Sequence, residues 1–345
     1  MIRESMAPQT ILVRMPNWVG DLVMATPILT DLRRHYPHAS ITAMCRTPLC
    51  ELLKEDASID ELFCFTKPQN DFLRRQLKRN VIDKIIRGKY DLGILLPNSF
   101  SSAWWFWQGK VQRRIGFAKG LRTPLLSDAV ARPKHPEHLV VTYKRLLEPL
   151  GIPISDTKPR LYVSDAETAR AHELLYQRGY KKGKKLVGIN PGAAYGSAKC
   201  WPPERFRELA LNLLIDKDVY VVFFGDASTA SLVKDICQGL PKYAMDLAGI
   251  TSLRELACII KSCDLLITND SGPMHIGAAF EIPMIALFGS TDDLATGPYG
   301  HPEAVINKRV SCAPCFKRVC PIDFRCMKQI TVDEVLDRAR SILEK

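Results

Sequence analysis

The chain has 345 residues, 46% of them hydrophobic and 25% charged, the composition of a soluble globular protein with room for two ordinary domains. No N-terminal stretch has the basic-apolar-small order of a signal peptide, since Ile11-Leu12-Val13 runs at once into Arg14, Pro16 and Asn17. A formal charge of +11 points to an acidic partner (nucleic acid, nucleotide or anionic lipid) without choosing among them.

In chain order, Ile11 to Met15 predicts a short buried strand. Pro16-Asn17-Trp18-Val19-Gly20-Asp21 predicts a Gly-containing turn into a helix patterned on Leu22, Ala25, Ile28, Leu29 and Leu32. Pro27 after Thr26 implies a kink or a restart within that helix. The pattern then alternates: strand at 41–45, helix at 48–53, strand at 59–65, basic helix at 71–87, strand at 91–96. Repeated βα units predict a parallel sheet.

The long uncharged run from Leu92 to Gln108 contains Pro97, Asn98 and a cluster of Trp104, Trp105 and Trp107, which makes a poor spanning helix. Its aromatic cluster is read in two ways, as buried core or as a membrane-interface group. Positive charge gathers in the first half, at Arg74, Arg75, Lys78, Arg79 and Lys84, then Arg113, Arg114, Lys119 and Arg122. Such a run is either a solvated face or a surface for an anionic partner. A helix is predicted at 138–150, and Gly151-Ile152-Pro153 breaks the pattern, placing a domain boundary within 151–168.

The alternation then restarts, with helix at 165–178, strand at 185–190, helix at 203–214, strand at 219–224, helices at 229–237 and 253–261, and strands at 263–268 and 283–288. Two similar α/β halves follow. In open parallel sheets ligands gather beyond the carboxyl ends of the strands, where Asp21, Pro191-Gly192, Gly225-Asp226, Asp270 and Gly289-Ser290 fall.

Within the second half, Leu265 to Ala279 passes from an apolar run through Asn269-Asp270-Ser271-Gly272 into a helix-like pattern. A helix beginning near Gly272 offers unpaired backbone N–H groups and a positive dipole end, which suit a phosphate; the alternative is that Asp270 or Ser271 caps a buried helix. Asn190 to Pro202 is rich in small residues, so the backbone can approach a ligand closely, and Lys199 near its end can neutralise phosphate charge. It lacks the Gly-Lys-Ser/Thr ending of a P-loop, and no Gly-x-Gly-x-x-Gly follows the first strand, which weakens kinase, ATPase and dehydrogenase readings. Asp226, just after a strand, is placed to accept hydrogen bonds from a ribose.

Eleven cysteines without an export signal predict reduced thiols. Cys312 and Cys315 have Cys-x-x-Cys spacing, but Cys320 and Cys326 continue it irregularly for a zinc ribbon, so a metal site and a reduced, partly buried loop are both kept open.

Val19-Gly20-Asp21 with its helix, Pro191-Gly192 to Lys199-Cys200-Trp201-Pro202, and Asn269-Asp270-Ser271-Gly272-Pro273-Met274-His275 resemble the bacterial ADP-heptose:lipopolysaccharide heptosyltransferases, glycosyltransferase family nine. The resemblance spans nearly the whole chain. The block from Cys312 to Cys326 looks most like the branch that adds the second inner-core heptose.

What the resemblance implies is an α/β fold of GT-B type, two Rossmann-like doubly wound domains facing across a cleft. Residues 1–160 would form an acceptor domain and 161–345 a nucleotide-sugar domain, with the last helix, 331–345, packing back on the first. It implies inverting, metal-independent transfer of L-glycero-D-manno-heptose from ADP-heptose to the first heptose of a Kdo-lipid A acceptor, in lipopolysaccharide biosynthesis. ADP-heptose is then a substrate, and no cofactor and no nucleic acid are expected.

Asp21 falls on the family's general base, behind Gly20, and Lys199 on its phosphate-binding lysine. Ser271 and Gly272 would give backbone N–H groups to the diphosphate, Asp270 would meet the sugar end, and His275 would either touch phosphate or pack. The enzyme is expected in the cytoplasm, held peripherally at the cytoplasmic face of the inner membrane. Two other readings remain: a family member with a different acceptor or nucleotide sugar, and a nucleotide- or nucleic-acid-binding protein using the basic helix and a cysteine-bound zinc.

Overall fold

The structure, a computed structural model, describes residues 7–66, 71–216 and 218–344, with the side chains of residues 71–75, including Arg74 and Arg75, outside the described part. The chain divides into two compact units, Met1–Tyr162 and Val163–Lys345. In the first, the elements run β1 (Thr10–Arg14), α1 (Val19–His35), β2 (Ser40–Arg46), β3 (Glu61–Phe65), α2 (Asp71–Gly88), β4 (Leu92–Leu95), α3 (Phe100–Gln108), β5 (Arg113–Phe117), β6 (Asp128–Val130) and α4 (Leu139–Lys144). The second begins with α5 (Asp165–Gln177), β7 (Lys185–Asn190), α6 (Pro203–Leu213), β8 (Val219–Phe223), α7 (Ala230–Cys237), β9 (Ala244–Asp246), α8 (Leu253–Lys261) and β10 (Leu265–Asn269). It continues with α9 (Gly272–Ala279), β11 (Met284–Phe288), α10 (Asp293–Thr296), β12 (Val305–Asn307), α11 (Arg325–Lys328) and α12 (Val332–Leu343).

Each unit holds a six-stranded sheet, ordered β3-β2-β1-β4-β5-β6 in the first and β12-β11-β10-β7-β8-β9 in the second. All pairs are parallel. Both orders are the doubly wound one, in which the winding reverses once, between β1 and β4 and between β7 and β10. Strands β4, β8, β10 and β11 are buried at every position, which is why they read as unbroken apolar runs.

Helix α1 runs through Pro27 without a restart. Proline has no amide to donate to the carbonyl of Val23; the Thr26 hydroxyl donates to that oxygen instead, at 2.8 Å. Helix α3 divides the tryptophan cluster by its 3.6-residue period. Ala103 and Phe106 point into the core and Trp105 meets Phe65 edge-on at 5.5 Å. Phe100 and Trp107, which are 49% and 44% exposed, lie outward in contact with Trp104.

Three arginines of the basic run prove structural. Arg113 forks onto Asp128 with two 3.0 Å hydrogen bonds, Arg114 donates to the carbonyls of Leu125 and Val111, and Arg122 is buried against Pro97 and Asn98. Burial, and then the charge of Arg132, lowers the Arg122 pKa to about 10. One sequence expectation is corrected. Cys50 and Cys64 are joined as a disulfide rather than free, because the short helix carrying Cys50 lies against β3. The C-terminal helix belongs to the second unit, where Val332, Val335, Leu336 and Ala339 share a core with Trp201 and Phe206.

Helices α5 and α8 are clasped by Arg254 on Glu167 at 2.6 Å, with side-chain exposures of 9% and 13%. Hydrogen bonding by Arg254, which outweighs burial, pulls the Glu167 carboxyl from 4.5 down to about 2. A depressed folded pKa stabilises the fold above the unfolded value and loses that contribution as pH falls toward the folded one. The urea midpoint should therefore drop between about pH 4.5 and 2, and Glu167→Gln should flatten that limb while lowering the midpoint at neutral pH; an unchanged acid limb in the variant would assign it to other carboxylates.

Candidate active site

At the switch point of the second sheet, β10 lies between β7 and β11, with Thr268 in register with Asn190 and Asn269 with Leu287. The turns after these three strands are thereby neighbours. Lys199 Nζ lies 2.5 Å from Asp270 Oδ2, with side-chain exposures of 14% and 4%, and the Thr291 hydroxyl donates to the same oxygen at 2.5 Å. Two of the ammonium's three donors are left for other acceptors. The Lys199 ammonium also lies 5.1 Å from the centre of the Tyr195 ring, with the Arg318 guanidinium 5.4 Å from it.

The turns are fixed by buried amides. Asn269 donates to the carbonyl of Pro191 at 2.7 Å and accepts from the backbone N–H of Trp201 at 2.9 Å. Asn190 donates to Gly192 O and to Ser271 Oγ, each at 2.9 Å. Gly196 has φ +155°, and a Cβ there would stand 2.3 Å from the carbonyl oxygen of Arg318, so the turn before Lys199 requires glycine.

Ser271 occupies the N-cap of α9 but its side chain accepts no hydrogen bond from the first turn; Asn190 and Thr268 engage it instead. Asp270 is likewise committed to Lys199 and Thr291. Neither residue acts as a side-chain cap, which answers the alternative left open by the sequence. The N-terminus of α9, at Gly272 and the residues after it, keeps the character of an anion-binding end beside a lysine. His275 is buried on the same turn, at 5% exposure.

Asp226 is held by its own turn: its Oδ1 accepts from the amides of Ser228 and Thr229 at 2.9 and 3.1 Å and from both hydroxyls. Burial opposes ionisation of that carboxyl, but these hydrogen bonds prevail and lower its pKa. In the first unit, Asp21 is the third residue of α1, after Trp18 at the N-cap, and so sits in the first turn rather than capping it. The phenol of buried Tyr143 has a pKa raised well above its usual value, by burial first and then by the Asp21 carboxylate. Asn190, Asn269 and Thr291 are the site residues given no role by the sequence reading. Their signal was positional: each ends or follows a strand adjoining the switch point.

Doubly wound parallel sheets with a lysine-bearing, small-residue turn at the switch point define a nucleotide-binding type of α/β protein. The sequence pattern of glycosyltransferase family 9 (heptosyltransferase) matches residues 78–324. Lipooligosaccharide heptosyltransferase 2 of Haemophilus influenzae is 33% identical over 86% of this chain and 88% of its own length. Lipopolysaccharide heptosyltransferase 2 of Escherichia coli K12 is 32% identical over 86% and 87%. The solved structure of E. coli ADP-heptose lps heptosyltransferase II superposes with a TM-score of 0.80 at 28% identity, covering 97% of this chain and 98% of that one. The chain belongs to glycosyltransferase family 9, and it is a glycosyltransferase with the paired α/β sheets of the GT-B type.

Proposed function

We propose that this protein transfers L-glycero-D-manno-heptose from ADP-heptose to the first heptose of the Kdo-lipid A inner core, with inversion and without a metal ion at the reacting centre. The observation that carries the reading is the Lys199–Asp270–Thr291 cluster beside the uncapped turn of α9, in a chain whose relatives are named for heptose transfer. The donor diphosphate is held by Lys199 and the amides that open α9. Negative charge gathering on departing ADP is met by the ammonium, which serves where a metal ion serves in other transferases. Asp270 orients the lysine from below and meets the sugar end of the donor. Asp21 takes the proton from the acceptor hydroxyl as that oxygen attacks the anomeric carbon.

The protein works at the cytoplasmic face of the inner membrane as a peripheral enzyme. Supporting this are the outward Phe100, Trp104 and Trp107 ridge, Leu121 at 86% exposure, and Lys78 Nζ 5.4 Å from the centre of the Trp104 ring, an aromatic and basic combination suited to an anionic headgroup layer. No described helix is long and apolar enough to cross a membrane. The test is incubation of folded protein with ADP-heptose and mono-heptosylated Kdo-lipid A. A product heavier by one heptose, formed at the same rate with and without added Mg2+, is expected; no mass gain on this acceptor alongside extension of a different truncated core would move the assignment to another member of the family.

A further inference from the structure

The loop between β12 and α11, residues 308–324, contains no helix or strand. Loops of this length inside a compact domain are uncommon unless they serve a function. Among the described residues no three ligand-type side chains stand together as a metal set, and the loop is held by other means. The backbone N–H groups of Cys315 and Phe316 donate to Ser290 O at 3.1 and 2.8 Å, the Ala198 N–H donates to Arg318 O at 3.0 Å, and the Tyr195 hydroxyl donates to Phe316 O at 2.7 Å. Residues 315–318 are thereby strapped to the two turns that carry Lys199 and Thr291.

The cations along this strap are not equivalent. Lys308 pairs with Glu334 and Arg309 with Asp293, each at 2.6 Å, and Arg325, just past the loop, pairs with Asp323 at 2.8 Å. Among the described residues no carboxylate pairs with Lys317 or Arg318. Of these two, Arg318 is turned toward the candidate site: its guanidinium carbon lies 5.4 Å from the centre of the Tyr195 ring, and Lys199 Nζ lies 5.1 Å from the same point. Two cations border one ring, and only Lys199 has a carboxylate partner.

The balance of charge gives that arrangement a use. Lys199 and Asp270 are neutral as a pair, whereas a nucleoside diphosphate carries negative charge on each phosphate and the departing ADP gains more. The positive end of α9 offsets only about half an elementary charge. We propose that Arg318 is a second cation of the donor site, its guanidinium binding oxygens of the diphosphate alongside Lys199, with the Tyr195 ring as the spacer between them. A planar guanidinium engages two phosphate oxygens at once, which an ammonium does as a point charge only. No movement of the loop is needed, because its backbone is already bonded to the Lys199 turn through Ala198. The inference rests on the reading of Lys199 as the diphosphate-binding lysine and adds a contact from outside the 190–202 motif.

The experiment measures binding of ADP and of adenosine to the full chain by calorimetry, with Tm alongside. Arg318→Gln should weaken ADP binding roughly 10- to 100-fold, as loss of a hydrogen-bonded charge does, and leave adenosine affinity and Tm unchanged. It should also lessen the salt dependence of ADP binding, and Arg318→Lys should recover part of the loss. Lys317→Gln removes the neighbouring unpaired charge and should bind ADP as the parent does. Parent-like ADP binding by Arg318→Gln, with binding lost in Lys199→Met, would overturn the inference and leave the lysine reading standing. Parent-like binding in both variants would remove the two together. Equal weakening by Arg318→Gln and Lys317→Gln would reduce Arg318 to a general surface charge and likewise overturn it.

Discussion

Lys199→Met should destabilise the fold and reduce heptose transfer on the order of 100- to 1,000-fold, two effects that a second substitution can separate. Asp270 is 4% exposed and its carboxylate receives the Lys199 ammonium and the Thr291 hydroxyl on one oxygen. Removing the ammonium leaves a buried anion with one neutral donor; breaking such a pair costs about 3–5 kcal/mol, more than an exposed pair is worth. Asp270→Asn should cost less, because Lys199 is the more exposed partner at 14% and can swing its charge into water. The double variant Lys199→Met with Asp270→Asn removes both charges and should recover most of the lost stability. It should not recover ADP affinity or turnover, since the lost cation is what the diphosphate meets. Denaturant midpoints, ADP binding and initial rates on the four proteins decide the matter. If the double variant recovered activity together with stability, the lysine would be a structural partner of Asp270 and the diphosphate would have to be held by other groups.

The long central strands and the helices between them were legible because each is buried on both faces or carries a 3.6-residue pattern. Strands β6, β9 and β12, of three residues each, are too short to show any period, and β5 begins with Arg113-Arg114, which reads as surface. Those arginines are satisfied by Asp128 and by carbonyl oxygens, partners invisible until β6 is placed beside β5.

The turns of the candidate site were legible for the opposite reason: Asn190-Pro191-Gly192 and Asp270-Ser271-Gly272 interrupt apolar runs with residues that only a turn or a ligand explains. What could not be read was who touches whom. The meeting of Asp270 with Lys199 and Thr291 depends on β10 lying between β7 and β11, a strand order that no local pattern encodes. The engagement of Ser271 by Asn190, which leaves the start of α9 without its side-chain cap, depends on the same adjacency. The hydrogen bonds by which the Oδ1 of Asp226 builds the turn into α7 were likewise not legible from its position after β8.

Asp21→Asn should lower kcat roughly 100- to 10,000-fold, the range spanned by loss of a positioned general base, with the fold and ADP binding retained. The expectation rests on position. Asp21 is the third residue of α1, at the switch-point side of the first sheet, in a unit that contains none of the Lys199, Asp270 and Thr291 cluster. An acidic residue in a first helical turn also interacts favourably with the helix dipole, a contribution of about 0.3–1 kcal/mol that asparagine would largely forfeit. A purely structural role would therefore show as a small drop in Tm and a rate change no larger than the fraction unfolded. A catalytic role shows as a large fall in kcat with ADP affinity unaltered, because the ADP contacts proposed above lie in the other unit. Tyr143→Phe serves as the neighbouring control, since it keeps the ring packed against α1 while removing the phenol that senses the Asp21 charge. It should leave most of the activity in place. Asp21→Asn with turnover within a few-fold of the parent would remove Asp21 from the chemistry and direct the search for the base to other groups at that end of the first sheet.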